Sequence, residues 1–403
     1  MEIFIARQPI FDKHMRVAAY ELLYRSGKVN AALADDDGAT SSVIVNGLVM
    51  MGLETLTDRK KAFVNFTRNL LVDDSATVFP PEALVVEVLE TVESDPELLE
   101  ALKRLKAAGY TIALDDYVES YSQEEIVALA DIIKVDFLLS DLPAVARIAQ
   151  RFAGTPVRLL AEKVETQEQF RLAVQLGYSY FQGYFFSKPS IMASRDVRSI
   201  DLSHVRILEA LGQPEPDFIA VAGAIESDLA LTYKLMRLVN SGAYMGNSRI
   251  TSVHQALVRL GMKEIRKWTA LIMMRDAGEG KPDELVRASL IRARALESLA
   301  GRVKLGSRRT EFFLTGIFSM IDVIMDRPLR EILSELPLDE QIRTALLGQD
   351  NALRKGLDLI LAYERGDWAA LDALGPLGRG MEAEMLSEAY YEALQWTQEL
   401  FGV

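Results

Sequence analysis

Residues 159–166 read LLAEKVET. An apolar run ends in Glu162, and a second carboxylate, Glu165, follows three residues later. A short apolar run bounded by polar residues reads as a strand buried on both faces. The next stretch, TQEQFRLAVQLG, has mixed helical spacing in Phe170, Leu172, Val174 and Leu176, with Gly177 placed to stop it. A buried strand followed by a helix is therefore the local unit, with acids at the junction.

The unit repeats through the first half. MEIFIARQPIF, VAAYELLYR, AFVNFT, ALVVEVLE, TIALDDY, IIKVDF and YFQGYFF are further β-rich runs, and PELLEALKRLKAAG is a further amphipathic helix pattern. Alternating strands and helices imply parallel strands joined by crossovers. An open doubly wound sheet and a closed barrel both satisfy that pattern. After SKPSIMASRD the signal becomes helical almost throughout, which places a domain boundary near 194–204. In TSVHQALVRLGMKEI, Ser252 is placed to cap and Gly261 to end a helix whose Val253, Leu257 and Leu260 share a face. FFLTGIFSMIDVIM, Phe312 to Met325, is apolar on most sides, as a helix inside a bundle is. The arginines of VRASLIRARALESLAGR (Arg287, Arg292, Arg294 and Arg302) read as the solvated face of an amphipathic helix rather than as a surface for anions.

Bulk properties narrow the function. A chain of 403 residues with 49% hydrophobic residues is long enough for two cores. No apolar run approaches the ~20 residues of a membrane helix, and the N-terminus does not read as a signal peptide. The absence of cysteine excludes disulfides and thiolate chemistry and fits a cytoplasmic protein. A net charge of −13 argues against DNA, RNA or anionic membrane as a partner through a basic surface.

Polar residues recur where the apolar runs of the first half end. They are Glu21, Asn65, Glu87 and Glu90, Asp115 and Asp116, Lys134 and Asp136, Glu162 and Glu165, and Gln182. In a parallel α/β protein such ends lie on one face, where these folds keep their sites. A single strand-end acid is most often a helix cap or a solvated loop residue; five strand ends of this kind are harder to dismiss. Converging carboxylates repel unless something positive lies among them. An oxygen-rich set of Asp, Glu and Asn suits hard cations such as Mg²⁺, Mn²⁺ or Ca²⁺. Two such ions clamp a phosphodiester while a free carboxylate activates water, and Lys134 is placed to hold that water or neutralise developing charge. The residues themselves point to metal-assisted phosphodiester chemistry.

The motifs also resemble a known family. ARQPIF, YELLYR, FVNFT, VVEVLET, IALDDY, IIKVD, LLAEKVET and YFQGYFFSKP follow one another as in an EAL domain, the barrel of bacterial cyclic di-GMP phosphodiesterases. The resemblance implies an α/β TIM-type barrel over residues 1–196. It implies Mg²⁺ or Mn²⁺ held by Glu21, Asn65, Glu87 and Asp115, with Asp116 toward a second ion. Glu162 is implied as general base and Lys134 as the residue that positions water. Arg25, Gln182 and Gln8 are implied as contacts of cyclic di-GMP, with Glu165 and Glu90 in support. Residues 197–403 resemble an all-α HDOD domain, notably in LMRLVNS and ITSVHQALVRLG, which implies an unidentified protein partner; the barrel family implies a homodimer. The chain has only three histidines, His14, His204 and His254, and no His-Asp dipeptide, so HD-type hydrolysis is rejected.

Departures from the family pattern bear on activity. EAL reads ELL, the stretch after YELLYR is SGKVNAALADDDGAT, DFGTG reads DYVES, and EGVET reads EKVET with Lys163 beside the expected base. Glycines tolerate positive φ that other residues adopt at a cost, and a site loosened by about 1 Å loses ~100-fold in rate. Three readings follow. The favoured one is a regulatory protein whose barrel binds nucleotide or metal with weak or no turnover and signals through the HDOD domain. The others are an active phosphodiesterase and a ligand-free interaction scaffold.

Overall fold

The structure, a computed structural model, describes residues 3–26, 52–183, 201–213, 215–240, 250–378 and 381–401. The boundary stretch SKPSIMASRD, and SGKVNAALADDDGAT beyond Ser26, lie outside the described residues. Contacts divide the chain into two compact units. One comprises residues 1–188, 361–375 and 382–403; the other comprises 189–360 and 376–381.

The first unit holds eight strands: β1 (Ile3–Asp12), β2 (Val17–Ser26), β3 (Lys61–Phe66), β4 (Leu84–Val88), β5 (Thr111–Leu114), β6 (Ile132–Asp136), β7 (Arg158–Glu162) and β8 (Tyr180–Phe181). They close in sequence order into a barrel, which decides between the two architectures the alternation allows. The strands are not all parallel. β1 runs antiparallel to both β2 and β8, while β2 to β8 are mutually parallel. The reason is the link after β1. Asp12 accepts from the backbone N–H of His14 and Arg16, and Met15 takes φ 62°. Four residues make a hairpin, whereas a parallel crossover needs a dozen or more.

Side chains alternate along each strand, so every second residue enters the barrel. One interior layer is apolar and takes one residue from each strand: Ile10, Ala19, Phe63, Val85, Ala113, Ile132 and Leu160, with Tyr180 against them. Helices Pro96–Ala107, Leu142–Phe152 and Gln167–Gln175 follow strands and start on Asp95, Asp141 and Thr166 caps; the last is a full capping box with Gln169. Gly177 leaves that helix with φ 91°.

A split at residue 196 assigns the C-terminus to the helical domain, yet residues 361–375 and 382–403 pack with the barrel. The Tyr363 hydroxyl accepts from the Ile5 backbone N–H at 3.2 Å and lies 3.0 Å from the Ile5 carbonyl. Helix Ala383–Phe401 packs on β1 and on helix Leu53–Thr57, with Gln398 donating to the carbonyls of Glu54 and Thr55.

The second unit is helical. Its core includes Ile207, Val221, Ile225, Leu235, Leu257, Ile265 and Trp268. Ser252 caps helix Val253–Leu260 and Gly261 ends it. The apolar stretch 312–325 is buried but forms two helices, Arg309–Phe318 and Ile321–Met325. The Ser319 hydroxyl bonds to the Gly316 carbonyl between them, competing with the helical ladder. At Gly316 a Cβ would lie 2.5 Å from the Ala293 backbone, so helix Asp283–Arg302 passes too close for any side chain. That crossing corrects the reading of the arginine face. Arg287, Arg292, Arg294 and Arg302 are half-buried; Arg287 pairs with Glu284, Arg294 with Glu297, and Arg292 donates to Ser319. Among the described residues, no helix is long and apolar enough to cross a membrane.

Tyr363→Phe is expected to leave the Ile5 N–H unsatisfied and to cost the barrel about 1–3 kcal/mol in urea unfolding. An unchanged midpoint would show that this hydroxyl contributes nothing to barrel stability.

Candidate functional site

Two residues beyond each member of the apolar layer, alternation returns a side chain to the interior. On β2 to β8 those residues are Glu21, Asn65, Glu87, Asp115, Lys134, Glu162 and Gln182. On the reversed β1 the equivalent position is two residues before Ile10, and Gln8 pairs in register with Glu21. The site is thus a polar layer stacked on an apolar one, with one residue from every strand.

Lys134 is its centre. Its fully buried ammonium lies 2.7 Å from Glu87, 2.8 Å from Asp115, 3.0 Å from Glu162 and 3.4 Å from Glu21. Burial alone disfavours the charged amine, but the summed attraction of Asp115, Glu162, Glu21 and Glu87 outweighs it and holds Lys134 well above the usual lysine range. Burial pushes the Glu87 and Glu162 carboxyls well above the ordinary carboxylate range, against the pull of Lys134. Asp116 is raised by burial and by Asp115 beside it. Gln182 ties the layer to β1, donating to Gln8 at 2.9 Å and to Glu21 at 2.5 Å. The Tyr24 hydroxyl bonds to the Asn65 carbonyl at 2.6 Å and fixes β2 against β3.

The donor set fits a hard divalent cation. Oxygens of Asp115, Asp116 and Glu162 lie within 4.8 Å of one another. Asn65 Oδ1, Glu87 Oε2, Glu162 Oε2 and Gln182 Oε1 are buried without a hydrogen-bond partner. Buried oxygens are rarely left so, and a cation among them removes the penalty.

Above the layer, left-handed backbone occurs at Asp116 and at Lys163, which stands where EGVET has its glycine; Val118 and Ser120, where DFGTG has its glycines, take no positive φ. Asp116 takes φ 41° and Lys163 takes φ 51°. Each costs of order 1 kcal/mol or more, and each is held by its surroundings. Tyr117 is buried, gives its backbone N–H to the Lys134 carbonyl and packs against Phe152 and Tyr121. Lys163 bonds to the buried Asp136 and lies 4.0 Å from Asp116. Gly183 takes φ 143°, and a Cβ there would lie 2.2 Å from the Val164 carbonyl, so the end of β8 clamps the segment that carries Glu162.

The remaining predicted residues lie outside the layer. Glu90 is exposed beyond β4 and reaches Asp116 only through its field. Glu165 is half-buried and gives its backbone N–H to Gln169. Arg25 lies four residues past Glu21 on β2, and both arms of its guanidinium are held by Asp372. Sequence reasoning places Asp136 at a strand end without seeing its bond to Lys163. It misses Asp372 altogether, because nothing local links residues 347 apart.

Comparison with known proteins adds the following. The EAL domain family matches residues 48–189 and the HDOD domain family residues 199–339. The uncharacterized protein YuxH of Bacillus subtilis is 37% identical over 99% of this chain and 99% of its own. Cyclic di-GMP phosphodiesterase CdgJ of Vibrio cholerae is 34% identical over 98% of this chain and 93% of its own. Among solved structures, the Klebsiella pneumoniae BlrP1 calcium/cy-diGMP complex covers 47% of this chain and spans only 56% of that one, at 25% identity and a TM-score of 0.39.

The electrostatics of the layer are testable without ligand. Glu87 and Glu162 hold protons more tightly folded than unfolded. Their stabilising contribution is complete below the unfolded carboxyl range near ~4.3 and is lost as pH rises through their raised folded values. In EDTA, Glu87→Gln is therefore expected to stabilise the protein by of order 1 kcal/mol at pH 7, with the gain shrinking toward pH 5. Lys134→Met leaves the carboxylates uncompensated and is expected to cost about 3–5 kcal/mol. Thermal unfolding across that pH range checks both, and a pH-independent Glu87→Gln effect would contradict the burial argument.

Proposed function

The chain belongs to the family of EAL-domain proteins that carry an HDOD domain, and on that premise we propose that its barrel is a divalent-metal-dependent cyclic di-GMP phosphodiesterase. The observation that supports this most is the complete polar layer, with one residue from each of eight strands and buried carboxylate and amide oxygens left without partners. A scaffold without ligand has no use for so costly an interior. Loss of glycine from DYVES and EKVET weighed against turnover on sequence grounds. Lys163 adopts left-handed backbone without its glycine, so the objection from EKVET weakens; Val118 and Ser120, where DYVES lacks its glycines, take no positive φ, so that loop turns without needing them. CdgJ, similar along nearly its whole length, is a cyclic di-GMP phosphodiesterase by name.

In this reading Glu21, Asn65, Glu87 and Asp115 hold Mg²⁺ or Mn²⁺, with Asp116 toward a second ion. The metal supplies Lewis-acid polarisation of the diester and acidifies water. The chain's own residues do the rest. Glu162, its carboxyl made more basic than an ordinary carboxylate by burial, is suited to take a proton from the attacking water. Lys134 holds that water and balances the charge that grows on phosphorus-bound oxygen. Gln182 and Gln8 orient Glu21 and face the ligand, and Arg25 meets a phosphate through its planar fork. The water oxygen bonds to phosphorus as the ester bond breaks, and the leaving oxygen takes up a proton.

A second reading has its own support. Lys134 already satisfies four carboxylates at 2.7–3.4 Å and competes with a cation for them. Such a barrel would bind nucleotide with slow turnover and signal through the helical domain to a protein partner.

Incubation with cyclic di-GMP and Mn²⁺ or Mg²⁺, followed by chromatography, is expected to yield the linear dinucleotide. Glu162→Gln is expected to lower the rate at least ~100-fold while metal-dependent binding persists. Binding without product would favour the second reading; neither binding nor product would defeat both.

A further inference from the structure

The C-terminal return crosses the β1–β2 side of the barrel as a strap. At Gly366 the strap comes so close that a Cβ would lie 2.7 Å from the Leu23 side chain. The Arg365 carbonyl accepts from Gln8 at 3.1 Å, and the Trp368 carbonyl from Arg25 at 3.2 Å. Asp372 then takes Arg25 through both oxygens, at 2.9 and 3.0 Å. The Arg25 side chain is 6% exposed and that of Asp372 is 58% exposed. Leu23 and Arg25 lie on the same face of β2 as Glu21, and four residues of strand put Arg25 roughly 13 Å along the barrel from it. An anionic ligand seated on the polar layer and extending along β2 meets this guanidinium. A carboxylate that grips it bidentately has the geometry by which arginine takes a phosphate.

We propose that Asp372 is an affinity-setting residue that stands in for the ligand's phosphate on Arg25, so that nucleotide binds only by displacing it. This rests on the proposed function above, because the anion concerned is the one held by the polar layer. The strap, residues 361–375, lies beyond both matched domains, which end at residues 189 and 339. It continues directly from the helical unit through helix Ala352–Glu364. The exposed side of the pair keeps the contact weak enough to break.

The test uses the full chain in a Glu162→Gln background, which blocks turnover, with cyclic di-GMP titrated calorimetrically in Mn²⁺. Asp372→Ala is expected to bind roughly tenfold more tightly than its parent. Arg25→Ala is expected to bind more weakly, and adding Asp372→Ala to it is expected to change nothing further. If the parent binds and Asp372→Ala binds equally or less well, the stand-in role is overturned while the nucleotide reading survives. A gain from Asp372→Ala that persists without Arg25 also overturns it. If no variant binds, including Asp372→Ala, the nucleotide reading itself fails and this role with it.

Discussion

One buried ammonium lets four carboxylates share the inside of this barrel. Without Lys134, the oxygens of Glu21, Glu87, Asp115 and Glu162 would face one another in a space from which water is largely excluded. Like charges in such a setting cannot all remain ionised. With Lys134 present the layer stays compact but is not relaxed, since the Glu87 and Glu162 carboxyls are still pushed upward by burial. That residual cost is the property of a site prepared for more positive charge than the chain itself supplies. Stability is given up at the position where binding needs it, a trade seen wherever polar groups are assembled before their ligand arrives.

The layer exists because of strand alternation and closure acting together. Ala19 and Glu21, Phe63 and Asn65, Val85 and Glu87, Ala113 and Asp115, Ile132 and Lys134, Leu160 and Glu162, and Tyr180 and Gln182 repeat one step of two residues. The first of each pair seals the interior and the second faces the mouth. Slippage of any strand by one residue would send its polar group outward among the helices and bring an apolar one inside. Gly183 guards the last register, because only a residue without Cβ passes the Val164 carbonyl at that distance.

Much of this was legible in the sequence, and the limits have physical causes. Strand ends with acids, the Ser252 cap and the Gly177 and Gly261 stops are local signals, and all appear in the structure. Closure was not legible in the strand pattern, since open and closed sheets bury the same apolar runs, and only the family resemblance implied a barrel. The half-buried state of Arg287, Arg292 and Arg294 was missed because periodicity reports one face of a helix. It does not report a second helix crossing at Gly316. Arg25 and Asp372 were beyond reach for a different reason: their pairing follows from where the chain returns in space.

That return follows from the hairpin. In a barrel of parallel strands each crossover supplies a helix to cover the outside of the strands it joins. β1 and β2 are joined by a four-residue turn instead, so their connection brings no helix with it. An uncovered antiparallel pair carrying Ile5 and Tyr20 on its outer face would expose apolar surface. The chain meets this from its far end, with Tyr390 and Leu394 of helix Ala383–Phe401 buried on the barrel unit, while Trp368 of the strap packs on Phe4 on the face that carries Glu21 and Arg25. The cover comes from residues that follow most of the helical unit in sequence. The same residues carry Asp372 to Arg25. Covering the hairpin and controlling the mouth of the site are therefore two consequences of one topological fact, the reversal of the first strand.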